Sequence, residues 1–264
     1  MIGVSMRVNT MKAKVLRGEM VFGLAMDSAD PIMVEYAAMA GLDFVRIDCE
    51  HGPATLGDLE HLARAAEAAD VTPTARLAAN RPDVVTQVLN RGFAGLTFPH
   101  IATAEDAAAA VRSAKFAPDG DRAITSPAGR GMHARWSLGV PAEDAFAFAN
   151  RETLVTCLIE DPAGVENVEA IAAVPGVDLI TFGAGDLSAT AGHIGDFNHP
   201  DVRALIRDGI RRARAAGKPV GISVGSKSME RAEEFIAAGV TVVQLLPAPL
   251  LVDAVARMRD ALTG

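Results

Sequence analysis

Two acidic residues stand at the ends of β-branched runs. Glu160 closes Leu154-Val-Thr-Cys-Leu-Ile-Glu160, and Asp186 closes Asp178-Leu-Ile-Thr-Phe-Gly-Ala-Gly-Asp186. Short apolar runs bounded by turn residues read as buried parallel strands. The carboxyl end of a barrel strand is where an α/β enzyme carries its metal ligands and bases. Two carboxylates on successive strands can share one divalent ion, and oxygen donors suit Mg²⁺ or Mn²⁺. The chemistry to expect is metal-assisted catalysis.

A second run ends in Asp48-Cys-Glu50-His51-Gly52. Histidine is the natural general acid/base near neutral pH, and a neighbouring carboxylate can orient it and raise its basicity. The plainer reading makes Asp48 or Glu50 a helix cap and His51 a solvated loop residue. Arg76 closes Thr72-Pro-Thr-Ala-Arg-Leu77, where its forked donors suit an oxygen on which negative charge develops. The alternative there is a salt bridge to Asp48 or Glu50. Gly183-Ala-Gly185-Asp-Leu-Ser188 lacks the third glycine of a dinucleotide fingerprint and the acidic residue that should follow it. Its small residues instead let backbone N–H groups approach an anion such as a substrate carboxylate.

Other patterns fail on order or setting. Gly221-Ile-Ser223-Val-Gly225 fits the nucleophile elbow, but that hydrolase fold runs Ser, acid, His, and all 6 histidines precede Ser223. A Schiff-base lysine needs desolvation or a cationic neighbour; Lys218 precedes its strand, and Lys227 is exposed by pattern. No His-x-x-x-His, paired Cys or P-loop competes for a zinc ion or a nucleotide.

These residues need a frame, and the chain supplies a repeating one. Eight strand-like runs, Val21–Met26, Phe44–Glu50, Thr72–Leu77, Gly95–His100, Leu154–Glu160, Asp178–Phe182, Pro219–Val224 and Val240–Leu246, are each followed by an Ala- and Leu-rich amphipathic stretch. Eight βα units in 264 residues match the size of a (β/α)₈ TIM barrel. The expectation is one domain over 1–264, with an N-terminal helical extension over 1–20 and a Gly- and Arg-rich long loop over 117–141. The net charge of -8 and the lack of a Lys/Arg run exclude a nucleic-acid surface. No apolar stretch reaches membrane length, no secretory leader is evident, and only Cys49 and Cys157 are present. A cytoplasmic enzyme with a small-molecule partner is expected, with no nucleic acid and no membrane.

Asp48-x-Glu50-His51, the strand-end Arg76, Ile159-Glu160 and Phe182-Gly-x-Gly-Asp-Leu-Ser188 together resemble the HpcH/HpaI family of class II, metal-dependent pyruvate aldolases, within the phosphoenolpyruvate/pyruvate barrel superfamily. The similarity runs from about Gly23 to the last helix. It implies that Glu160 and Asp186 bind Mg²⁺ or Mn²⁺, with Co²⁺ as a further option. It also implies that His51 moves a proton, that Arg76 stabilises the enolate oxygen, that the backbone around Gly185 and Asp186 receives the pyruvyl carboxylate, and that Glu50 supports them from behind. The implied reaction is retro-aldol cleavage of a 4-hydroxy-2-oxo acid to pyruvate and an aldehyde, or its reverse.

Two positions depart from the family. Asn90 stands where relatives carry an Asp that raises the basicity of the histidine, and an amide cannot offset an imidazolium charge; Asp48 is the substitute. Leu158 stands where relatives carry a substrate-facing Gln, which argues against their dicarboxylate substrate. Alternatives are oxaloacetate decarboxylation, cleavage of a β-hydroxyacyl-CoA thioester with Arg122–Arg135 as the only loosely basic stretch, and an idle barrel that binds 2-oxo acids. The family forms hexamers, trimers of dimers, by exchanging the last helix. Leu250, Leu251, Val255 and Met258 in Pro247–Leu262 fit either that exchange or packing on the chain's own barrel.

Overall fold

A computed structural model describes residues 6–124, 140–225 and 229–263. Eight parallel strands close into a barrel in sequence order: β1 Val21–Met26, β2 Phe44–Asp48, β3 Thr72–Arg76, β4 Gly95–Phe98, β5 Leu154–Ile159, β6 Leu179–Phe182, β7 Val220–Val224 and β8 Val242–Leu245. This is the (β/α)₈ TIM barrel that the eight runs predict. Most strands stop one or two residues short of the expected ends, so Glu50, His100 and Glu160 lie just past β2, β4 and β5, where the rim loops begin.

Strand alternation sorts residues between the outer helices and the barrel interior. In β2, Val45 and Ile47 join the main core under the helices, while Phe44 joins the floor cluster and Arg46 and Asp48 face the central cavity. The outer layer includes α2 Pro31–Met39, α3 Leu56–Ala68, α4 Pro82–Asn90, α5 Ala104–Ala114, α6 Ala142–Glu152, α7 Pro162–Glu166, α8 Val168–Ala173, α9 Ala184–Thr190, α10 Pro200–Ala215 and α11 Met229–Ala237. Thr55 with Asp58 and Thr103 with Asp106 form reciprocal capping boxes that start α3 and α5. Pro82 and Pro200 open α4 and α10, and Gly217, at φ +79°, follows α10 in the left-handed conformation that an L side chain resists.

The amino-terminal end of the barrel is plugged. Helix α1, Thr10–Leu16, packs Met11 and Val15 against Phe44, Leu154, Leu179 and Val242. Lys12 reaches in to Thr153 O and Asp178 Oδ2, each at 2.9 Å. With that end sealed, the cavity opens at the carboxyl end of the strands. Helix α12, Pro247–Thr263, buries no residue; of the two placements its apolar stripe allowed, packing on its own barrel is not the one adopted. No helix among the described residues is long and apolar enough to cross a membrane.

The stretch expected as a loop over 117–141 is partly ordered packing. Arg122 is buried, donates to Asn90 Oδ1 at 2.7 Å and lies 4.4 Å from the centroid of the Phe116 ring. It is therefore not part of an open basic groove. Residues 125–139 and Lys227 lie outside the described residues.

Candidate active site

The residue pair that organises the rim is Asp48 and Arg76, side by side in the β2–β3 register. Arg76 Nε donates to Asp48 Oδ1 at 3.1 Å, and Nη2 pairs with Oδ2 in a two-pronged contact. Nη1 is 3.3 Å from Glu50 Oε2. Burial by itself would raise the Asp48 carboxyl, but the Arg76 hydrogen bond and charge, with two backbone donors, outweigh it and hold the group below its usual range. Those donors are the N–H groups of Glu50 and His51, at 3.0 and 3.1 Å from Oδ1. Asp48 thus fixes the turn that carries His51 through its backbone. This corrects the expectation that Asp48 is the partner of the imidazole. The ring itself is 64% exposed and stands 3.9 Å from Glu50 Oε2, beyond hydrogen-bond range.

Glu160, only 3% exposed, is reached by a residue the sequence reading passed over. His100 donates its backbone N–H to Glu160 Oε1 at 2.9 Å; its Nδ1 lies 3.1 Å from the same oxygen, and its Nε2 3.2 Å from Glu50 Oε1. The imidazole bridges the two glutamates. His100 adopts φ +54°, sparsely populated for a residue with a Cβ, and the double attachment to Glu160 holds it there. The visible signal was weak: a Pro-His pair just past a strand reads as an ordinary turn.

Burial pushes the Glu160 carboxyl above its usual range; His100 works against that shift, and the charges of Asp186 and Glu50 add to it. Asp186 sits exposed in the first turn of α9. A divalent cation between two carboxylates relieves this repulsion, and an all-oxygen donor pair suits a hard ion. Gly183 leaves the room required: a Cβ there would lie 2.8 Å from Glu160 Oε2. The residues fit the group. Elsewhere, His193, His199 and Asp201 bring ligand atoms within 4.8 Å of one another, but none of the three lines the cavity.

One cavity of about 480 Å³ gathers Asp48, His51, Arg76, Leu158, Glu160, Gly185 and Asp186, all expected at the site. Glu50 stands behind them on Arg76 and His100. Asn90 is not among them. It ends α4, at the opposite end of the barrel, where it accepts from Arg122; within this chain it neither orients nor charges His51. Arg46 and Thr181 line the same cavity and were also missed. The signal for Arg46 was available, since it precedes Asp48 by two residues and must share its face.

The HpcH/HpaI aldolase/citrate lyase family profile matches residues 21–246. The chain is 36% identical over 237 residues to a 2-keto-3-deoxy-L-rhamnonate aldolase of Klebsiella pneumoniae subsp. pneumoniae, covering 88% of this chain and 87% of that one. It is 36% identical over 205 residues to a 2-dehydro-3,6-dideoxy-6-sulfogluconate aldolase of Pseudomonas putida, covering 76% and 77%. Among solved structures, an HpcH/HpaI aldolase/citrate lyase family protein from Burkholderia cenocepacia J2315 superposes with a TM-score of 0.87 at 31% identity, over 97% of this chain and 100% of that one. The closed barrel agrees with these matches, and the chain belongs to the HpcH/HpaI aldolase/citrate lyase family.

Proposed function

We propose that this chain cleaves and forms 4-hydroxy-2-oxo acids through the enolate of pyruvate, with an aldehyde as the other partner and Mg²⁺ or Mn²⁺ held by Glu160 and Asp186. The observation that carries the reading is the convergence, in one cavity, of two repelling carboxylates and an anchored guanidinium, in a chain whose relatives at 35–36% identity are aldolases. The ion, when bound, supplies Lewis-acid polarisation of the keto oxygen and so lowers the barrier to enolate formation.

The side chains supply the rest. His51, exposed and carried on a turn pinned by Asp48, takes the proton from the C4 hydroxyl. The C3–C4 bond then breaks, its electron pair passes to the C2 oxygen as the enolate, and C3 recovers a proton to give pyruvate. Arg76 cannot swing, because Asp48 holds two of its nitrogens and Glu50 lies against the third. Its remaining N–H donors are preorganised for the enolate oxygen. Backbone N–H groups at Gly185 and Asp186 receive the carboxylate, and Leu158 excludes water beside it. Both cysteines are free thiols, which suits a reducing cytoplasm.

The test is deuterium exchange into the methyl group of pyruvate, followed by NMR in D₂O after chelation and again with added Mg²⁺. Exchange should require the ion, and Glu160→Ala or Asp186→Ala should abolish it without altering the circular dichroism spectrum. Exchange that persists in either variant removes the metal assignment. No exchange with any ion overturns the enolate reading.

A further inference from the structure

Away from the rim, two imidazoles meet beside one carboxylate. The His193 and His199 rings stack with centroids 3.5 Å apart and planes 14° from parallel. Asp201 Oδ2 lies 3.3 Å from His193 Nε2 and 3.7 Å from His199 Nδ1. The spacing His-x₅-His-x-Asp fits no helical zinc pattern; a turn is what brings the three together. Gly192 and Gly195, at φ +85° and +78°, reverse the chain after α9. His193 N–H donates to Ser188 O at 2.7 Å, and His199 N–H to Asp196 O at 3.1 Å. Arg231 Nη1 donates to Phe197 O and Asn198 Oδ1, each at 3.1 Å. Both histidine backbones are thus held in place before any ligand arrives, which lowers the ordering cost of binding.

We propose that His193, His199 and Asp201 form a second cation site, selective for an ion of the Zn²⁺, Co²⁺ or Ni²⁺ type. Two imidazole nitrogens and one carboxylate oxygen suit such ions, whereas Mg²⁺ favours oxygen donors. Tetrahedral ligands of one zinc ion stand about 3.4 Å apart. The three ligand atoms here already lie within 4.8 Å of one another, and a tilt of the half-buried rings points both nitrogen lone pairs at one centre. The Asp201 N–H now donates to His199 Nδ1 at 3.3 Å; a cation on that nitrogen replaces a long bond, and the freed N–H, in the first turn of α10, turns to water. None of the three ligands lines the active-site cavity, so the site is separate from Glu160 and Asp186. An ion there ties the end of α9, whose first turn carries Asp186, to the start of α10. The tie spans Phe197, which does line the cavity, so the ion stiffens one wall without touching substrate.

The test is a Zn²⁺ titration by calorimetry in saturating Mg²⁺. The wild type should bind one Zn²⁺ per chain at this corner; Zn²⁺ that displaces Mg²⁺ at the rim gives a separate event, which Glu160→Ala removes. The corner event should persist in Glu160→Ala. His193→Gln and His199→Asn should each weaken it by at least about tenfold, the scale already set by losing an outer partner of a ligand. His199→Asn keeps an acceptor at the cap of α10, and Asp201→Asn, at a side chain 71% exposed, serves if either histidine variant fails to fold. Visible absorption of Co²⁺ in the Glu160→Ala protein is a second readout: its bands should change on binding and lose that change when His193→Gln is added. A Zn²⁺ event that all these ligand variants leave unaltered, or none that survives Glu160→Ala, overturns the proposal. The rim assignment fails separately, if Mg²⁺ does not bind while the Zn²⁺ event still depends on His193.

Discussion

His100 shows what a single residue contributes at this rim. Its ring ties Glu50 to Glu160, and its backbone N–H adds a second tie to the same carboxylate. Partners that orient a metal ligand are typically worth ten- to a hundredfold in affinity. His100→Asn, which tolerates positive φ, should therefore weaken Mg²⁺ binding about tenfold in calorimetry while leaving the melting temperature nearly unchanged; an unaltered affinity would mean that Glu160 is held without the ring. Glu160, Arg76, Asp48, His51 and Asp186 were readable because each polar group sits at or just past the end of an apolar run, and the rim of a barrel is defined by strand ends. His100 was not, because its role comes from a loop conformation that composition does not encode. Arg46, two residues before Asp48 on β2, shares that residue's face and was legible by alternation alone. Asn90 failed because its helix descends away from the rim, so the residue ends at the far end of the barrel in the same chain.

Among elements, the strands were legible to within one or two residues, since burial on both faces demands continuous β-branched runs. Close contacts between elements were not. Gly209 of α10 lets that helix approach β6: a Cβ there would lie 2.5 Å from the Phe182 ring, which is 4% exposed and has little room to move. Gly209→Ala should destabilise the fold by about 1–3 kcal/mol through overpacking, against at most about 1 kcal/mol gained in helix propensity. A denaturant titration measures the balance, and a stabilised variant would show that the contact relaxes. The plugged end makes a pH prediction. Lys115, just past α5, donates to Asn150 O at 2.5 Å and Thr153 O at 2.7 Å, and burial, with Lys12 nearby, lowers its pKa to about 7. The unfolded chain keeps the lysine protonated up to about pH 10.4, so between these values the unfolded state binds more protons. The burden of charging Lys115 in the folded state is therefore greatest below pH 7 and is relieved as pH rises. The melting temperature of the wild type relative to Lys115→Met should climb from pH 7 to 10; parallel curves would mean that the buried amine stays charged.

For the whole molecule, the feature with the widest consequence is a helix that leaves the barrel. Leu251, Val255, Met258 and Leu262 of α12 fall on one face and are 56–83% exposed, while Phe22 on β1 and Ile32, Tyr36 and Met39 on α2 are also bare. In a self-contained barrel, the last helix would cover β1 and β8. Here one molecule presents both an unburied apolar helix and an uncovered apolar face. We propose that two copies exchange α12, an arrangement that would satisfy both at once through a self-complementary two-fold contact. Each such side chain, when fully buried, contributes about 1.5–3 kcal/mol, ample for a stable pair when four per helix are buried in both directions. The start of α12 also lines the cavity through Pro247, Ala248 and Pro249, so seating the helix positions one wall of the site. Val255→Asp with Met258→Asp should convert an oligomer at micromolar concentration into monomers, as sedimentation velocity would show. Because a wall displaced by about 1 Å can cost up to a hundredfold in rate, kcat/KM should fall at least about tenfold in the same variant. Retained assembly would refute the exchange, and monomers with full activity would show that the wall is set by the barrel alone.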